Sequence, residues 1–116
     1  MSEVRAAHLL VKHTGSRNPT SRRTGLPVTL SPEAAMAEIN HYLDLISNHP
    51  DGLRSFPNFA KERSDCSSFR NHGDLGVFSR GMMQESFERA AFGLGVGEMS
   101  GIVCSDSGYH LIYRIA

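Results

Sequence analysis

The sequence predicts a single α+β domain with a small antiparallel sheet, and three features of the chain support this prediction. Apolar and polar residues alternate over 4–13 and again over 109–115, as expected of half-buried strands. Apolar residues at three- and four-residue spacing over 31–48 and 84–92 predict amphipathic helices between them. A length of 116 residues, 40% of them apolar, fits one globular domain, 1–116, that buries about 65% of its unfolded surface.

The first predicted strand, Val4 to His13, places alternate side chains on opposite faces. One face carries Ala6, His8, Leu10 and Lys12, and the other carries Ala7, Leu9 and Val11. At about 3.3 Å per residue, His8 and Lys12 lie roughly 13 Å apart on the same face. One groove can therefore contact both side chains.

The segment Thr14–Leu30, the basic loop, is predicted to lack regular structure because it is rich in glycine, proline and hydroxyl residues. The chain has a net charge of zero, but no acidic residue occurs between Glu3 and Glu33. The same stretch holds five cations, which are Arg5, Lys12, Arg17, Arg22 and Arg23. This asymmetry predicts a local anion site, and a loop with solvated charges is the alternative.

Helices are predicted after this loop. The first begins with Ser31 as its N-cap and ends by Asn48, and its apolar stripe consists of Met36, Ile39, Leu43 and Ile46. A second helix is predicted over 55–63, with Pro57 in the first turn, where its missing N–H removes no helical hydrogen bond. One more helical turn reaches Asn71.

A glycine-bracketed strand from Gly73 to Ser79 and a fourth helix from Gln84 to Phe92 follow. Strands at Ile102–Cys104 and Tyr109–Ile115 are predicted to pair as a hairpin about the turn Ser105–Gly108. One face of the last strand carries His110, Ile112 and Arg114. The prediction is therefore a four-stranded antiparallel sheet flanked by about four helices.

The cysteine and histidine spacings predict two free thiols and no metal site. His8, His110 and Cys66 could in principle form a Cys–His nucleophilic site. The alternative is that Cys66 is buried and inert. Nucleotide-binding and hydrolase motifs are absent, so no cofactor is expected.

The chain also lacks an apolar leader and any window long enough to span a membrane. A soluble intracellular monomer is expected, in the cytoplasm or nucleus, with no nucleic-acid or membrane partner. The alternative hypothesis is that the basic loop binds nucleic acid, and it depends only on the cations of the loop.

Several segments form an ordered series. They are Ala7-His8-Leu9-Leu10-Val11-Lys12-His13, Asp65-Cys66-Ser67-Ser68, Gly73-Asp74-Leu75-Gly76-Val77-Phe78-Ser79-Arg80-Gly81, Met83-Gln84-x-x-Phe87 and Ser107-Gly108-Tyr109-His110. In this order and spacing they resemble the parvulin family of peptidyl-prolyl cis/trans isomerases over essentially the whole chain. The resemblance implies a parvulin-like fold and catalysed rotation about X-Pro bonds.

The resemblance also implies residue roles. The catalytic set is His8, Cys66, Ser107 and His110, and the proline pocket is Leu75, Met83, Gln84 and Phe87. Taken without the resemblance, the apolar members of this pocket are ordinary packing residues. The implied mechanism is non-covalent stabilisation of the twisted amide, with a covalent role for Cys66 as the alternative.

The basic loop is similar to that of the Pin-type branch, which acts on phosphoserine- or phosphothreonine-proline bonds. This similarity implies that Lys12, Ser16 and Arg17 bind phosphate. Asn18 stands where that branch commonly has a second arginine, and Arg22 or Arg23 could compensate.

No tryptophan is present, so no WW module is expected. Phosphorylated Ser/Thr-Pro proteins are the expected partners. The alternatives are a phosphopeptide-binding module without turnover and a parvulin without phosphate selectivity.

Overall fold

The structure is a computed structural model and describes residues 2–116. The strands are β1 (Glu3–Val11), β2 (Asp74–Ser79), β3 (Val103–Ser105) and β4 (Gly108–Arg114), and the α-helices are α1 (Pro32–Ser47), α2 (Phe56–Arg63) and α3 (Glu85–Gly93). Two 3-10 helices cover Gly52–Ser55 and Ser67–Asn71. The second of these is the helical turn predicted to reach Asn71.

The four strands form one sheet in the order β2-β1-β4-β3, and all neighbours are antiparallel. The predicted α+β class and four-stranded antiparallel sheet are confirmed. Strand β1 ends two residues earlier than predicted, because the Lys12 N–H donates to the Asp65 carboxylate instead of to a neighbouring strand. Strand β3 lies one residue further along than predicted, and its Ser105 pairs with Gly108 across a two-residue turn.

The central strands β1 and β4 separate two apolar clusters, one on each face of the sheet. The cluster against α1 and α2 includes Leu9, Ile39, Ile46, Phe56 and Leu111, and the cluster against α3 includes Val4, Ala6, Phe78, Phe87, Ala91 and Ile112. Each large side chain buried in this way contributes about 1.5–3 kcal/mol to stability. The alternation predicted for β1 and β4 is therefore present, and the face with His8 and His110 is the one covered by α3.

Helix α1 begins as its sequence predicts. The Ser31 hydroxyl accepts a hydrogen bond from the Ala34 N–H at 3.1 Å, and Pro32 occupies the first turn. The buried residues of α1 are Ala35, Ile39 and Ile46, so its apolar stripe is centred closer to Ala35 than predicted.

The basic loop has no helix and only an isolated bridge, between Thr20 and Pro27. Its ends meet through the Thr14 N–H and the Leu30 carbonyl oxygen, 2.8 Å apart. The Arg17 N–H donates to the Asp106 carbonyl at 2.8 Å, which joins the loop to the β3–β4 turn. Among residues 2–116, no helix is long and apolar enough to cross a membrane.

Candidate active site

A pair of buried histidines lies at the centre of the sheet. His8 is on β1 and His110 on β4, and their Nδ1 atoms are 2.9 Å apart, with the rings stacked at a centroid distance of 5.1 Å. Burial, and then the charge of His8, lower the pKa of His110 well below its ordinary value. The His110 ring is therefore neutral at physiological pH.

Ser105 extends this pair to the β3–β4 turn. The Ser105 hydroxyl lies 2.6 Å from His110 Nε2 and accepts a hydrogen bond from the Ser107 N–H at 3.1 Å. The His8–His110 bond between two Nδ1 atoms needs one donor and one acceptor, so one Nδ1 carries a proton and the other does not. Sequence reasoning missed Ser105, although its position across a short turn from a strand histidine was an available signal.

Cys66 lies beside His8 at the edge of the same site. Burial alone would raise the pKa of the Cys66 thiol, but hydrogen bonding and charge interaction with His8 outweigh burial and lower this pKa to about 6. The thiolate is then the main form at neutral pH. The buried Nε2 of His8 has no nitrogen or oxygen partner within the described residues, and His8 Nδ1 is bonded to His110, so Nε2 is the His8 atom that is left to interact with Cys66.

Next to the histidines is a mostly apolar cavity of about 250 Å³. Its lining contains the predicted Leu75, Met83 and Phe87, and also the exposed Met82, which sequence reasoning missed. The Phe87 ring packs edge-on against His8 and His110, at centroid distances of 5.4 and 5.1 Å. The cavity therefore combines one aromatic wall, flexible methionines and few polar atoms, which suits a small apolar ring.

Gln84 closes one side of this cavity at the start of α3. Its Nε2 donates to the Ser107 hydroxyl at 2.8 Å, and its Oε1 accepts from the Asp106 N–H at 2.8 Å. Gln84 thus joins α3 to the β3–β4 turn. One N–H and one oxygen lone pair of its amide remain for a ligand.

A second cavity, of about 210 Å³, adjoins the first and is named here the cationic pocket. Its lining consists of Leu10, Lys12, Arg17, Asn18, Arg22, Cys66, Ser67 and Ser107. Three of these residues are cationic and none is acidic. Neither Arg17 nor Arg22 takes part in an ion pair within residues 2–116.

Lys12 is the most buried cation of this pocket. Its ammonium donates to the Thr20 carbonyl oxygen at 2.7 Å, which leaves two N–H bonds available. Burial, and then the charge of Arg22, lower the pKa of Lys12. Two neighbouring cations, one buried (Lys12) and one exposed (Arg22), favour an anion between them.

Two residues predicted to bind phosphate do not line the cationic pocket. The buried Ser16 hydroxyl accepts a hydrogen bond from the His13 N–H at 3.0 Å, so it stabilises the start of the basic loop. Arg23 lies towards α1, where its charge lowers the pKa of Glu38 after the larger effect of Arg63. The expected absence of a metal site stays a prediction, and the described part of the chain contains no group of three metal-ligating side chains.

Comparisons with known proteins show which family the chain is similar to. The family described as the PPIC-type PPIASE domain (rotamase) matches residues 8–116. Over all 116 residues the chain is 51% identical to the Theileria annulata protein named buparvaquone-resistant peptidyl-prolyl cis-trans isomerase NIMA-interacting 1, and covers 82% of it. Over 112 residues it is 48% identical to peptidyl-prolyl cis-trans isomerase ESS1 of Saccharomyces cerevisiae, and covers 65% of it.

Solved structures give the same result for the fold. Peptidyl-prolyl isomerase ESS1 from Candida albicans superimposes with a TM-score of 0.91 at 37% identity, over 98% of this chain and 63% of that one. The solution structure of TbPIN1 superimposes with a TM-score of 0.86 at 47% identity, over the full length of both chains. The predicted parvulin-like fold is confirmed.

Proposed function

We propose, from the premise that this chain belongs to the parvulin family of peptidyl-prolyl cis-trans isomerases, that it prefers bonds preceded by phosphoserine or phosphothreonine. The isomerase activity itself follows from membership of the family. A preference for phosphate, in contrast, has to be argued from the residues of this chain.

The observation that supports the proposal is that the cationic pocket adjoins the apolar cavity. Arg17, Cys66 and Ser107 line both cavities. A phosphoresidue and the proline that follows it are neighbours in a substrate chain. They need two adjoining sites, a cationic one for the phosphate and an apolar one for the proline ring. Three cations beside an apolar cavity provide such a pair of sites.

The size of the electrostatic effect is sufficient for selection. A phosphorylated side chain carries about −1.5 to −2 charges and three strong acceptor oxygens. Each charge-assisted hydrogen bond contributes roughly 1.5–3 kcal/mol, so two bonds at the lower figure favour phosphate about a hundredfold before screening. Lys12 has two N–H bonds available for a phosphate, and the entire Arg17 guanidinium is available as well.

Rotation about the X-Pro bond needs no bond to break. The planar amide loses its resonance on twisting, which costs about 18–20 kcal/mol without a catalyst. A cavity with Leu75, Met83 and Phe87 at its walls excludes water and disfavours the polar planar amide relative to the twisted one. The His8–His110–Ser105 hydrogen bonds fix the floor of this cavity.

In this mechanism Cys66 contributes its charge and shape but no covalent bond. Isomerisation does not require a nucleophile, so a thiolate is not needed for the bond to rotate. Cys66→Asp keeps a negative group at the pocket edge, and Cys66→Ser keeps a small polar one. Both variants should retain measurable isomerisation, and complete loss in a folded variant would instead support an obligatory thiol.

The test of phosphate preference is NMR exchange spectroscopy on matched pThr-Pro and Ala-Pro peptides at low salt. The expected result is faster cis/trans exchange of both peptides with a clear preference for the phosphorylated one. Lys12→Ala/Arg17→Ala should reduce the ratio of the two catalytic efficiencies by at least about tenfold.

A matched control removes two cations elsewhere, as Arg54→Ala/Lys61→Ala, and should leave the ratio unchanged. Equal turnover of both peptides by the unmodified protein would overturn the preference for phosphate and support a parvulin without phosphate selectivity. Binding without faster exchange would support the peptide-binding module.

A further inference from the structure

Asp65 joins the strand β1 to the basic loop. It is 3% exposed, and its carboxylate accepts hydrogen bonds from the Lys12 N–H at 3.0 Å and the Ser21 hydroxyl at 2.7 Å. Its carbonyl oxygen accepts from the Arg22 N–H at 2.9 Å, and its own N–H donates to the Leu10 carbonyl at 2.8 Å. The two cationic-pocket residues Lys12 and Arg22 are thus both anchored to Asp65.

Arg63 connects this anchor to helix α1. Its Nη1 donates to Asp65 Oδ1 at 3.1 Å, and its Nε donates to Glu38 Oε1 at 2.7 Å. The Arg63 side chain is only 13% exposed. Burial alone would lower the pKa of Arg63, but the bonds and charges of Glu38 and Asp65 outweigh it and raise this pKa. One largely buried guanidinium therefore pairs with two carboxylates, one on helix α1 and one in the segment after α2.

The charge of Arg63 affects the cationic pocket indirectly. A buried carboxylate must have a counter-charge close to it. Without Arg63, Asp65 would still attract the nearby charge of Lys12, and this attraction would draw the Lys12 ammonium away from an incoming phosphate. The bond from Ser21, which holds the middle of the basic loop, would also lose its fixed acceptor.

We propose that Arg63, held by Glu38, is a positioning residue for phosphopeptide recognition. By neutralising Asp65 it keeps the basic loop packed on β1 and leaves Lys12 free to bind phosphate. This inference rests on the proposed phosphate preference for its effect on substrates, but its effect on the loop does not depend on that preference.

The isomerisation site has supports that do not involve Arg63. The Ser64 hydroxyl accepts from the Leu10 N–H at 3.0 Å, and the backbone bond between Asp65 and Leu10 fixes the segment that leads to Cys66. Loss of Arg63 should therefore loosen the basic loop and weaken phosphate binding, while turnover of an Ala-Pro peptide persists.

The experiment compares Arg63→Met with Lys61→Met, which removes the same charge from an exposed position on the same helix. Kinetics on pThr-Pro and Ala-Pro peptides are measured together with hydrogen exchange of the Arg22 amide. For Arg63→Met we expect KM for the pThr-Pro peptide to rise about tenfold, Ala-Pro efficiency to stay within about twofold, and the Arg22 amide to exchange faster. Lys61→Met should match the unmodified protein in all three measurements.

A double-mutant cycle tests whether Arg63 acts through Asp65. If it does, Arg63→Met should have a much smaller effect on both the pThr-Pro KM and the Arg22 exchange rate when Asp65→Asn is already present. Arg63→Lys keeps the charge but cannot bond both carboxylates in the same way. Its pThr-Pro KM and its Arg22 exchange rate should therefore lie between those of Arg63→Met and those of the unmodified protein. It also provides a folded comparison if Arg63→Met is unstable.

The outcomes separate the two claims. Parallel loss of pThr-Pro and Ala-Pro turnover, unchanged Arg22 exchange, or fully additive effects in the cycle would each overturn the role of Arg63. Equal turnover of both peptides by the unmodified protein would overturn the phosphate preference, and Arg22 exchange in Arg63→Met would then still decide whether Arg63 holds the loop.

Discussion

His8 on strand β1 and His110 on strand β4 are joined by a side-chain hydrogen bond, although they are not directly opposite each other in the sheet. His8 pairs with Ile112 and His110 pairs with Leu10, so the two rings meet diagonally on the face covered by α3. Their Nδ1 atoms are 2.9 Å apart. This diagonal contact leaves the second nitrogen of each ring for another group. His110 Nε2 contacts the Ser105 hydroxyl, and the second nitrogen of His8 is left for Cys66.

The buried state of His110 predicts acid sensitivity. The pKa of His110 is lowered in the folded protein, first by burial and then by the charge of His8. As pH falls below about 6.5, the unfolded chain takes up a proton that the folded ring does not. The free energy of unfolding should therefore decrease from this pH down to the folded pKa, by at most about 1.4 kcal/mol per pH unit.

Denaturant unfolding of the unmodified protein and of His110→Gln between pH 7 and pH 4 measures this contribution. Since glutamine does not titrate, the variant should show a shallower decline with acid. Identical declines in both proteins would contradict the buried neutral state.

A second prediction concerns the reactivity of Cys66. In a Cys104→Ser background, the rate of iodoacetamide alkylation should rise with pH around a midpoint of about 6, because the thiolate is the reactive form. His8→Asn should move this midpoint upward, since burial continues to raise the pKa of Cys66 after the favourable interaction with His8 is removed. A midpoint that does not move in His8→Asn would show that another group stabilises the thiolate.

Local periodicity was enough to predict much of the fold and part of the site. The two-residue repeat in β1 placed His8 on the correct face, and the same repeat in β4 placed His110 there. The motif resemblance then predicted that Phe87 and Met83 belong to the same site, and both line the cavity next to the histidines.

Contacts between distant parts of the chain could not be predicted in this way. Asp65 and Ser21 are 44 positions apart, and Glu38 and Arg63 are 25 positions apart, so no local pattern links them. The same holds for Arg23, which looks in the sequence like another loop cation but lies towards α1. Side chains of irregular loops depend on tertiary anchors, and these have no periodicity to reveal them.

A third prediction concerns Gly73, at the start of the glycine-bracketed strand. Its φ is +84°, and a Cβ there would meet the Ala60 Cβ at 2.9 Å and lie even closer to the His8 carbonyl oxygen. Gly73→Ala should destabilise the protein by more than about 2 kcal/mol, because backbone strain and overlap with β1 add together. Gly76→Ala is the matched control, since φ there is +75° with open space around the Cβ, and it should cost only about 1–2 kcal/mol.

Thermal or urea unfolding distinguishes these two variants. If they are equally destabilised, strain at positive φ accounts for the whole effect. The close approach of Gly73 to His8 would then be unimportant for stability.

The last prediction concerns Asn18, which lines the cationic pocket beside Arg17 without adding charge. Asn18→Arg should lower KM for a pThr-Pro peptide by roughly two- to tenfold, the range for a partly screened charge-assisted bond. The gain should shrink as salt is raised from 0.05 M towards about 0.5 M, because the Debye length falls. Asn58→Arg adds the same charge on an exposed position of α2 and is the control. An equal gain from both variants would indicate general attraction of the anionic peptide, whereas a gain confined to Asn18→Arg requires the phosphate to sit in the cationic pocket.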